Sequence, residues 1–242
     1  MIILLDIDGV LETTPAWRQV EMHSDGFMKL NERTLENLSI LHKRKNASIV
    51  LTTTHRINYD IARWKEIFRL RGLNFEVMSK LNCKTDVSQL LDKGTEIKEW
   101  VEQYGEEQNY VIIDDDQSIN ALPENIKERW VATRPLVGFD KEALEKALHI
   151  LISNSKSTCI CCGHKTLTEK PTGTFEICPV CFWEDDPIQR YDPDYEGGAN
   201  PISLKQAQSN FIDFEACDLD MKKYVRPATS DEPKDKNWKV NK

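Results

Sequence analysis

Short apolar runs alternate with longer amphipathic segments through the first 153 residues. The apolar runs are rich in Ile, Val and Leu and predict buried parallel strands at Ile2–Leu5, Ser48–Leu51, Phe75–Met78, Tyr110–Ile113 and Trp130–Ala132. Helical periodicity lies between and after them, at Glu32–Lys45, Tyr59–Arg71, Gly94–Tyr104 and Lys141–Ile152. Strands that alternate with helices at this spacing predict an α/β fold whose parallel sheet is covered on both faces.

The pattern changes after residue 153. A short polar stretch at 154–158 predicts a linker. Cysteine, glycine, proline and aromatic residues follow up to residue 229, with one helical segment at Ser203–Phe214. Residues 230–242 are polar and charged, which predicts a disordered tail. We therefore expect an N-terminal domain of residues 1–153 and a smaller C-terminal domain of residues 159–229.

Polar side chains that suit catalysis or ligand binding follow three of the predicted strands. Asp6 and Asp8 come after the first strand, Thr52 after the second, and Asp114 with Asp115 after the fourth. In an open α/β sheet, ligands bind outside the carboxyl ends of the strands. The sequence therefore predicts that these distant segments converge on one site.

The residue types suit phosphoryl transfer. Asp6 would be the nucleophile that forms an aspartyl-phosphate. Asp8, two residues further on the same side, would protonate the leaving oxygen and later activate water. Thr52 would donate to a phosphoryl oxygen, and Lys93 would neutralise the charge that builds on the transferring group. Gly9 would permit the sharp turn that exposes the two carboxylates.

A divalent cation is expected beside these groups, because carboxylates alone would repel a phosphate dianion. Mg²⁺ prefers such oxygen ligands, and the candidate ligands are Asp6, Asp8, Asp114 and Asp115. Some assignments stay open at this stage. Thr53 competes with Thr52 as the phosphate donor, and Lys80 and Lys84 compete with Lys93 for the cationic role. Asp116 fits a helix N-cap better than a ligand.

The ordered set resembles the four motifs of the haloacid dehalogenase (HAD) superfamily. In this chain they are Asp6-Ile7-Asp8-Gly9-Val10-Leu11, Leu51-Thr52-Thr53-Thr54-His55-Arg56, Lys93-Gly94 and Ile113-Asp114-Asp115-Asp116. More narrowly, residues 1–152 resemble the small HAD domains of RNA-repair-type multidomain proteins. The resemblance implies a Rossmann-like core, Mg²⁺ and phosphomonoester hydrolysis. It also favours Lys93, which opens the helix before the acidic strand.

The space between Gly9 and the second strand fits only a short flap, around Pro15–Phe27, so we expect a minimal cap. By analogy with the family, an open site would suit a phosphorylated nucleotide or a nucleic-acid end, and a phosphorylated small molecule is equally allowed. His55 and Arg56 would touch substrate phosphate, or Arg56 would pair with a surface carboxylate. The alternative is a catalytically silent HAD scaffold with a zinc-binding, partner-recognition module.

The cysteines of the C-terminal domain have metal-ligand spacing. Cys159, Cys162, Cys178 and Cys181 form a C-x2-C-x15-C-x2-C pattern, which predicts a zinc-ribbon-like site with four thiolate ligands. Cys161 and His164 remain alternative ligands. A redox role for the C-x2-C pairs is disfavoured because no βαβ pattern surrounds them.

This module resembles the bacterial cysteine-rich CPCC domain over residues 159–227. The resemblance rests on Cys161-Cys162-Gly163, on the run from Glu176 to Asp186 that contains Cys178-Pro179-Val180-Cys181, and on Gly197-Gly198-Ala199-Asn200-Pro201. Ile160 stands where the family pattern has proline. The resemblance implies no activity, but the domain offers a surface for a protein partner.

Composition narrows the location and the partners. The 242 residues carry a formal net charge of −8, so a large basic surface for nucleic acid is not expected. Met1 is followed by only four apolar residues, without the basic region and longer apolar run of a signal peptide. Seven cysteines in such a chain point to metal binding before disulfides. We expect a cytoplasmic protein that does not associate with membranes.

Overall fold

A five-stranded parallel sheet forms the centre of the N-terminal unit, which spans Met1–Leu151. The computed structural model describes residues 1–15, 17–82, 86, 88, 90–105 and 108–241. The strands are β1 (Ile2–Leu5), β2 (Ser48–Leu51), β3 (Met78–Lys80), β4 (Tyr110–Asp114) and β5 (Trp130–Ala132). Their order in the sheet is β3-β2-β1-β4-β5.

Helices cover both faces of this sheet, which explains why the central strands are apolar at nearly every position. The helices are α1 (Glu32–Lys45), α2 (Ile61–Arg69), α3 (Lys93–Trp100), α4 (Glu124–Lys127) and α5 (Lys141–Ser153). Ile3 and Leu5 point to one face and pack with buried residues of α1, α2 and α5. Leu4 points to the other face and packs with residues of α3 and α4. Successive residues of a strand alternate between faces in this way.

Successive strands are added to the sheet first on one side of β1 and then on its other side. β2 and β3 lie on one side of β1, and β4 and β5 lie on its other side. The carboxyl ends of β1 and β4 therefore border the point where the strand order switches, which is where α/β sheets bind ligands.

The segment between β1 and α1 is a short flap. Its described residues form turns and an isolated antiparallel bridge between Met22 and Met28. Asp25 anchors it through a buried ion pair with Arg71, with 2.7 Å between Nη1 and Oδ2. Phe27 packs edge-on against Trp64 of α2. The expectation of a minimal cap agrees with this arrangement.

Some predicted boundaries differ from the structure. The third strand is Met78–Lys80, because Phe75 turns inward and packs edge-on against Phe68. The second helix begins at Ile61, because the Asp60 side chain caps it by accepting from the Arg63 N–H. The third helix ends at Trp100 and continues as a single π-turn, Val101–Gly105.

The C-terminal unit spans Ile152–Lys242. It contains the antiparallel pair β6 (Ser157–Thr158) and β7 (Lys165–Leu167), and the helices α6 (Pro187–Tyr191) and α7 (Leu204–Phe214). Its core consists of buried cysteines together with Leu167, Val180, Trp183, Leu204 and Ala207. Large apolar residues are few in this core, and the buried cysteines make up much of it.

The tail differs from the prediction of disorder. Glu232 is buried and accepts from the Arg226 guanidinium at 2.6 and 2.7 Å. Trp238 donates from Nε1 to the Ile160 carbonyl at 2.9 Å and lies against Gly163. Composition alone predicts disorder, since it does not reveal that this one tryptophan has an apolar surface to cover.

No helix in the described part of the chain has the length and apolar character needed to cross a membrane.

Candidate functional site

The strand register places three polar residues side by side at the carboxyl edge of the sheet. Leu5 pairs with Leu51 of β2 and with Ile113 of β4, so the next residue of each segment extends the same row. Those residues are Asp6, Thr52 and Asp114. The sequence prediction that they converge follows from this register.

Lys93 joins the row from the amino end of α3. Its Nζ lies 3.1 Å from Asp6 Oδ1 and 3.3 Å from Asp114 Oδ2, and its side chain is 9% exposed. Asp92 caps α3 by accepting from the Thr95 N–H. Gly94 lets the helix approach the loop after β4, because a Cβ there would lie 2.8 Å from the Ser118 carbonyl oxygen. The Lys-Gly pair thus fixes the ammonium against both carboxylates.

Asp115 completes a group of three carboxylates. One oxygen from each of Asp6, Asp114 and Asp115 lies within 4.8 Å of the others. Burial raises the pKa of Asp114 to about 6, with a further contribution from the negative charge of Asp6. Burial also raises the pKa of Asp6 and of Asp115.

These shifts have a common physical cause. Three carboxylates converge in a largely desolvated place and, among the described residues, Lys93 supplies the ammonium beside them. Burial disfavours the charged form of Lys93, but the Asp6 and Asp114 carboxylates outweigh it and raise the pKa of Lys93. An excess of buried negative charge attracts a cation. The oxygen donors suit a hard ion such as Mg²⁺.

The two candidate threonines have different partners. Thr52 is buried, and its Oγ1 donates to Asp114 Oδ2 at 3.0 Å. Thr53 is also buried, but its Oγ1 accepts from the His55 N–H at 3.3 Å and caps the 3-10 helix Thr54–Ile57. Thr52 is therefore the threonine in contact with the carboxylate group, and Thr53 shapes the loop beside it.

The competing Lys80 belongs to another part of the sheet. Lys80 ends β3 and lines a separate cavity of about 690 Å³ with Leu81, Glu96 and Trp100. Lys84 lies outside the described residues. Asp116 caps the 3-10 helix Gln117–Ala121 by accepting from the Ser118 N–H, which agrees with the N-cap interpretation.

Asp8 differs from the expectation that its carboxylate helps hold the metal. The Asp8 side chain is 53% exposed and lies outside the group of three carboxylates, since its Oδ2 is 3.1 Å from His55 Nε2. This contact raises the pKa of His55. Sequence reasoning had assigned no such partner to His55. The available signal was only that His55 follows the threonines of the second motif.

Arg56 also has an unexpected partner. The sequence suggested substrate phosphate or a surface carboxylate, but Arg56 is fully buried and pairs with the buried Glu96 of α3 at 2.5 Å. Its Nη1 donates to the Thr52 and Thr53 carbonyls at 2.7 and 2.9 Å. Arg56 thus ties the loop that carries Thr52 to the helix that carries Lys93.

A second cluster lies in the C-terminal unit. The sulfurs of Cys159, Cys162, Cys178 and Cys181 all lie within 4.8 Å of one another. The Cys159–Cys181 and Cys162–Cys178 sulfur distances are 3.6 and 3.7 Å. Four thiolates at about 2.3 Å from a tetrahedral zinc ion would be roughly 3.8 Å apart. Two of the sulfur–sulfur distances match this spacing, and all four sulfurs lie close enough together to surround such an ion.

The two C-x2-C turns have matching backbone conformations. The residue after each second cysteine has a positive φ, +78° at Gly163 and +68° at Phe182. Each turn is closed by a bond to the carbonyl of its first cysteine, from the Gly163 N–H at 2.9 Å and from the Phe182 N–H at 2.8 Å. Thr166 Oγ1 lies 3.1 Å from Cys178 Sγ and orients that sulfur.

The two alternative ligands lie outside this group of four. Cys161 is buried but does not belong to the set of sulfurs. His164 Nδ1 is 2.8 Å from the Glu232 carbonyl oxygen, and its ring packs near Phe211. The set with the predicted spacing is thus the one that the fold assembles.

The parallel sheet and the ordered Asp-x-Asp, Thr, Lys-Gly and Asp-Asp segments at its carboxyl edge define a HAD-type unit. Residues 2–144 match the family described as the HAD domain in Swiss Army Knife RNA repair proteins, and the chain belongs to this family. Residues 157–232 match the family described as cysteine-rich CPCC. No curated protein matches the chain. The comparisons agree with a fusion of the two modules.

Proposed function

We propose that the N-terminal unit is a Mg²⁺-dependent phosphomonoesterase that acts through an aspartyl-phosphate on Asp6. The observation that carries this proposal is the convergence of Lys93, Asp114 and Asp115 on the Asp6 carboxylate at the switch point of the sheet. The HAD family to which the chain belongs is of the phosphatase-type hydrolase class, which supports the same chemistry.

Asp6, Asp114 and Asp115 are the residues that would hold the cation. The donor set supports this assignment, because three carboxylate oxygens converge there and, among the described residues, Lys93 is the ammonium beside them. When bound, Mg²⁺ supplies positive charge between the phosphate and the carboxylates.

The chain's own residues account for the remaining steps. An Asp6 oxygen attacks phosphorus while the Asp8 carboxyl gives its proton to the leaving oxygen. The Asp8 carboxylate then takes a proton from the water that attacks the aspartyl-phosphate, and free Asp6 is restored. Lys93 stabilises the ionised form of Asp6 and the charge on the equatorial phosphoryl oxygens. Thr52 orients Asp114 through its hydroxyl and offers that hydroxyl to a phosphoryl oxygen.

The short flap and the family's description support a phosphorylated nucleotide or nucleic-acid end as the substrate. The net charge of −8 argues against a long duplex footprint. A phosphate on a strand end needs few contacts beyond the site itself. A phosphorylated metabolite remains a competing substrate.

The C-terminal unit supports a structural zinc site on Cys159, Cys162, Cys178 and Cys181. Zinc would contribute folding free energy to a unit with a small apolar core. We propose no catalytic activity for this module, and we propose that it binds a protein partner.

The experiment is phosphate release in Mg²⁺ from an aryl phosphate, a set of nucleotides, and 5′- and 3′-phosphorylated oligonucleotides. Wild-type protein is run beside Asp6→Asn and the matched control Asp116→Asn, whose side chain still caps its helix. Release that is lost only in Asp6→Asn supports the phosphatase, and the preferred substrate defines its class. Folded, metal-loaded protein without Asp6-dependent release would favour the silent scaffold.

A further inference from the structure

We propose that His55 is a positioning residue for Asp8, and that it sets the direction in which Asp8 delivers its proton to the leaving group. The inference rests on the phosphatase function proposed above. The observation behind it is the 3.1 Å contact between His55 Nε2 and Asp8 Oδ2, which joins the second sequence motif to the first.

Asp8 lacks the restraints that hold the other acidic residues of the site. Asp6 and Asp114 are buried and bonded to Lys93, whereas the Asp8 side chain is 53% exposed. Within the described part of the chain, His55 is the side chain that bonds the Asp8 carboxylate. An exposed carboxylate samples many rotamers, and each misdirected rotamer reduces the rate of proton transfer.

His55 is itself held in place from several sides. Its backbone N–H donates to the Thr53 hydroxyl, and its ring lies edge-on to Phe27 of the flap with centroids 5.9 Å apart. The next residue, Arg56, is buried and bonded to the Thr52 and Thr53 carbonyls. These contacts hold the imidazole ring in a fixed position, with Nε2 toward Asp8.

The contact between His55 and Asp8 is not explained by a contribution to folding stability. Ion pairs as exposed as this one contribute little to the free energy of unfolding. The contact does have a clear geometric effect, since it occupies Oδ2 and leaves Oδ1 free. In the proposal, Oδ1 is the oxygen that carries the proton for the leaving group.

The proton inventory is balanced with His55 as a fixed donor. The Nε2–H group donates to Asp8 Oδ2 throughout the reaction. The Asp8 proton on Oδ1 passes to the leaving oxygen as the ester P–O bond breaks and the Asp6–phosphorus bond forms. Water later restores that proton to Asp8 as it cleaves the aspartyl-phosphate. His55 gains and loses no proton.

Two substitutions separate the hydrogen bond from the ring. His55→Phe keeps an aromatic ring against Phe27 and removes the Nε2–H donor. His55→Gln restores a donor at a similar reach and removes the ring. Each variant is compared with wild type in Mg²⁺ on an aryl phosphate with a good leaving group and on an alkyl phosphate with a poor one. Thermal unfolding of each variant checks that it folds.

A poor leaving group depends on protonation far more than a good one. We expect His55→Phe to lower kcat on the alkyl phosphate by about tenfold, which is part of the roughly 100- to 10,000-fold effect of a general acid, with kcat on the aryl phosphate nearly unchanged. KM should remain similar on both substrates. His55→Gln should recover most of the lost kcat. In an Asp8→Asn background, His55→Phe should add no further leaving-group dependence.

Several results would overturn the proposal. Full activity of His55→Phe on both esters would reject it while leaving the phosphatase function intact. An equal loss on both esters, or a loss seen mainly in KM, would assign His55 to phosphate binding or to the fold. If His55→Phe still changes the leaving-group dependence in protein that carries Asp8→Asn, then His55 does not act through Asp8. Wild-type protein without Asp6-dependent activity would remove the proposed function, and this inference with it.

Discussion

The Asp115 carboxylate lies directly against Gly9. A Cβ built on Gly9 would lie 2.5 Å from Asp115 Cγ, and Gly9 has a φ of +69°. The turn that exposes Asp8 and the loop after β4 therefore share a space that only glycine leaves open. Thr133 fixes the same turn by donating from Oγ1 to the Gly9 carbonyl at 2.9 Å.

Gly9→Ala should therefore disable the site by more than its backbone strain explains. The methyl group must displace Asp115, and misplacement of catalytic groups by 1 Å costs about 100-fold in rate. The matched control is Gly26→Ala, because Gly26 has a φ of +81° and no atom of the described residues lies within 4 Å of where its Cβ would be. Both variants should lose about 1–2 kcal/mol of stability, and only Gly9→Ala should lose phosphate release. Equal activities of the two variants would contradict the account.

Replacing Arg56 should show how much the buried ion pair with Glu96 contributes to stability. Arg56→Met leaves Glu96 without the guanidinium that it contacts at 2.5 Å, and breaking a buried pair in this way costs about 3–5 kcal/mol. Arg56→Met combined with Glu96→Leu should cost less than Arg56→Met alone, since both charges are then gone. Urea unfolding of the three proteins measures the difference. The exposed Lys141–Glu145 pair is the control, and Lys141→Met should change little.

The four-sulfur group makes a definite prediction about metal content. Cys178→Ala should purify with little zinc and unfold at a lower urea concentration, because one ligand of a closed site is missing. Cys161→Ala removes a thiol that is equally buried but lies outside the group, and it should retain one zinc per chain. Metal analysis of both proteins decides the point. Loss of zinc from Cys161→Ala and retention in Cys178→Ala would reassign the ligands.

The tail should slow the release of that metal. Trp238 lies 2.6 Å from where a Cβ of Gly163 would be, and it donates to the Ile160 carbonyl. Both residues belong to the first C-x2-C turn. We expect Trp238→Ala to lose zinc to a chromogenic chelator faster than wild type, and Tyr191→Ala, which alters an almost fully exposed side chain, to match wild type. Identical rates of zinc release from all three proteins would show that the tail does not slow the release of the metal.

Much of the candidate site was predictable, because its arrangement follows from sheet register. Once Ile2–Leu5, Ser48–Leu51 and Tyr110–Ile113 are identified as neighbouring parallel strands, the residues that follow them must lie in a row. The sulfur cluster was predictable for a similar reason, since two C-x2-C turns at ribbon spacing suit a tetrahedral ion.

Other features required the folded chain. The Arg56–Glu96 pair spans 40 positions and depends on how the loop after β2 packs against α3, which no local pattern encodes. The Asp8–His55 contact depends in the same way on the position of Phe27. The tail packs through Trp238, which contacts Ile160 and Gly163. A prediction from composition misses this packing, because one tryptophan hardly changes the average polarity of the segment.

The central claim is that Asp6 is the nucleophile, and the most direct test traps its product. Protein turning over a good substrate in Mg²⁺ is quenched and reduced with borohydride, which converts an acyl phosphate on aspartate to homoserine. Peptide mass spectrometry then identifies the altered residue. The account predicts homoserine at position 6 in wild type and none in Asp6→Asn. Phosphate release without modification of Asp6, sustained in Asp6→Asn, would contradict it.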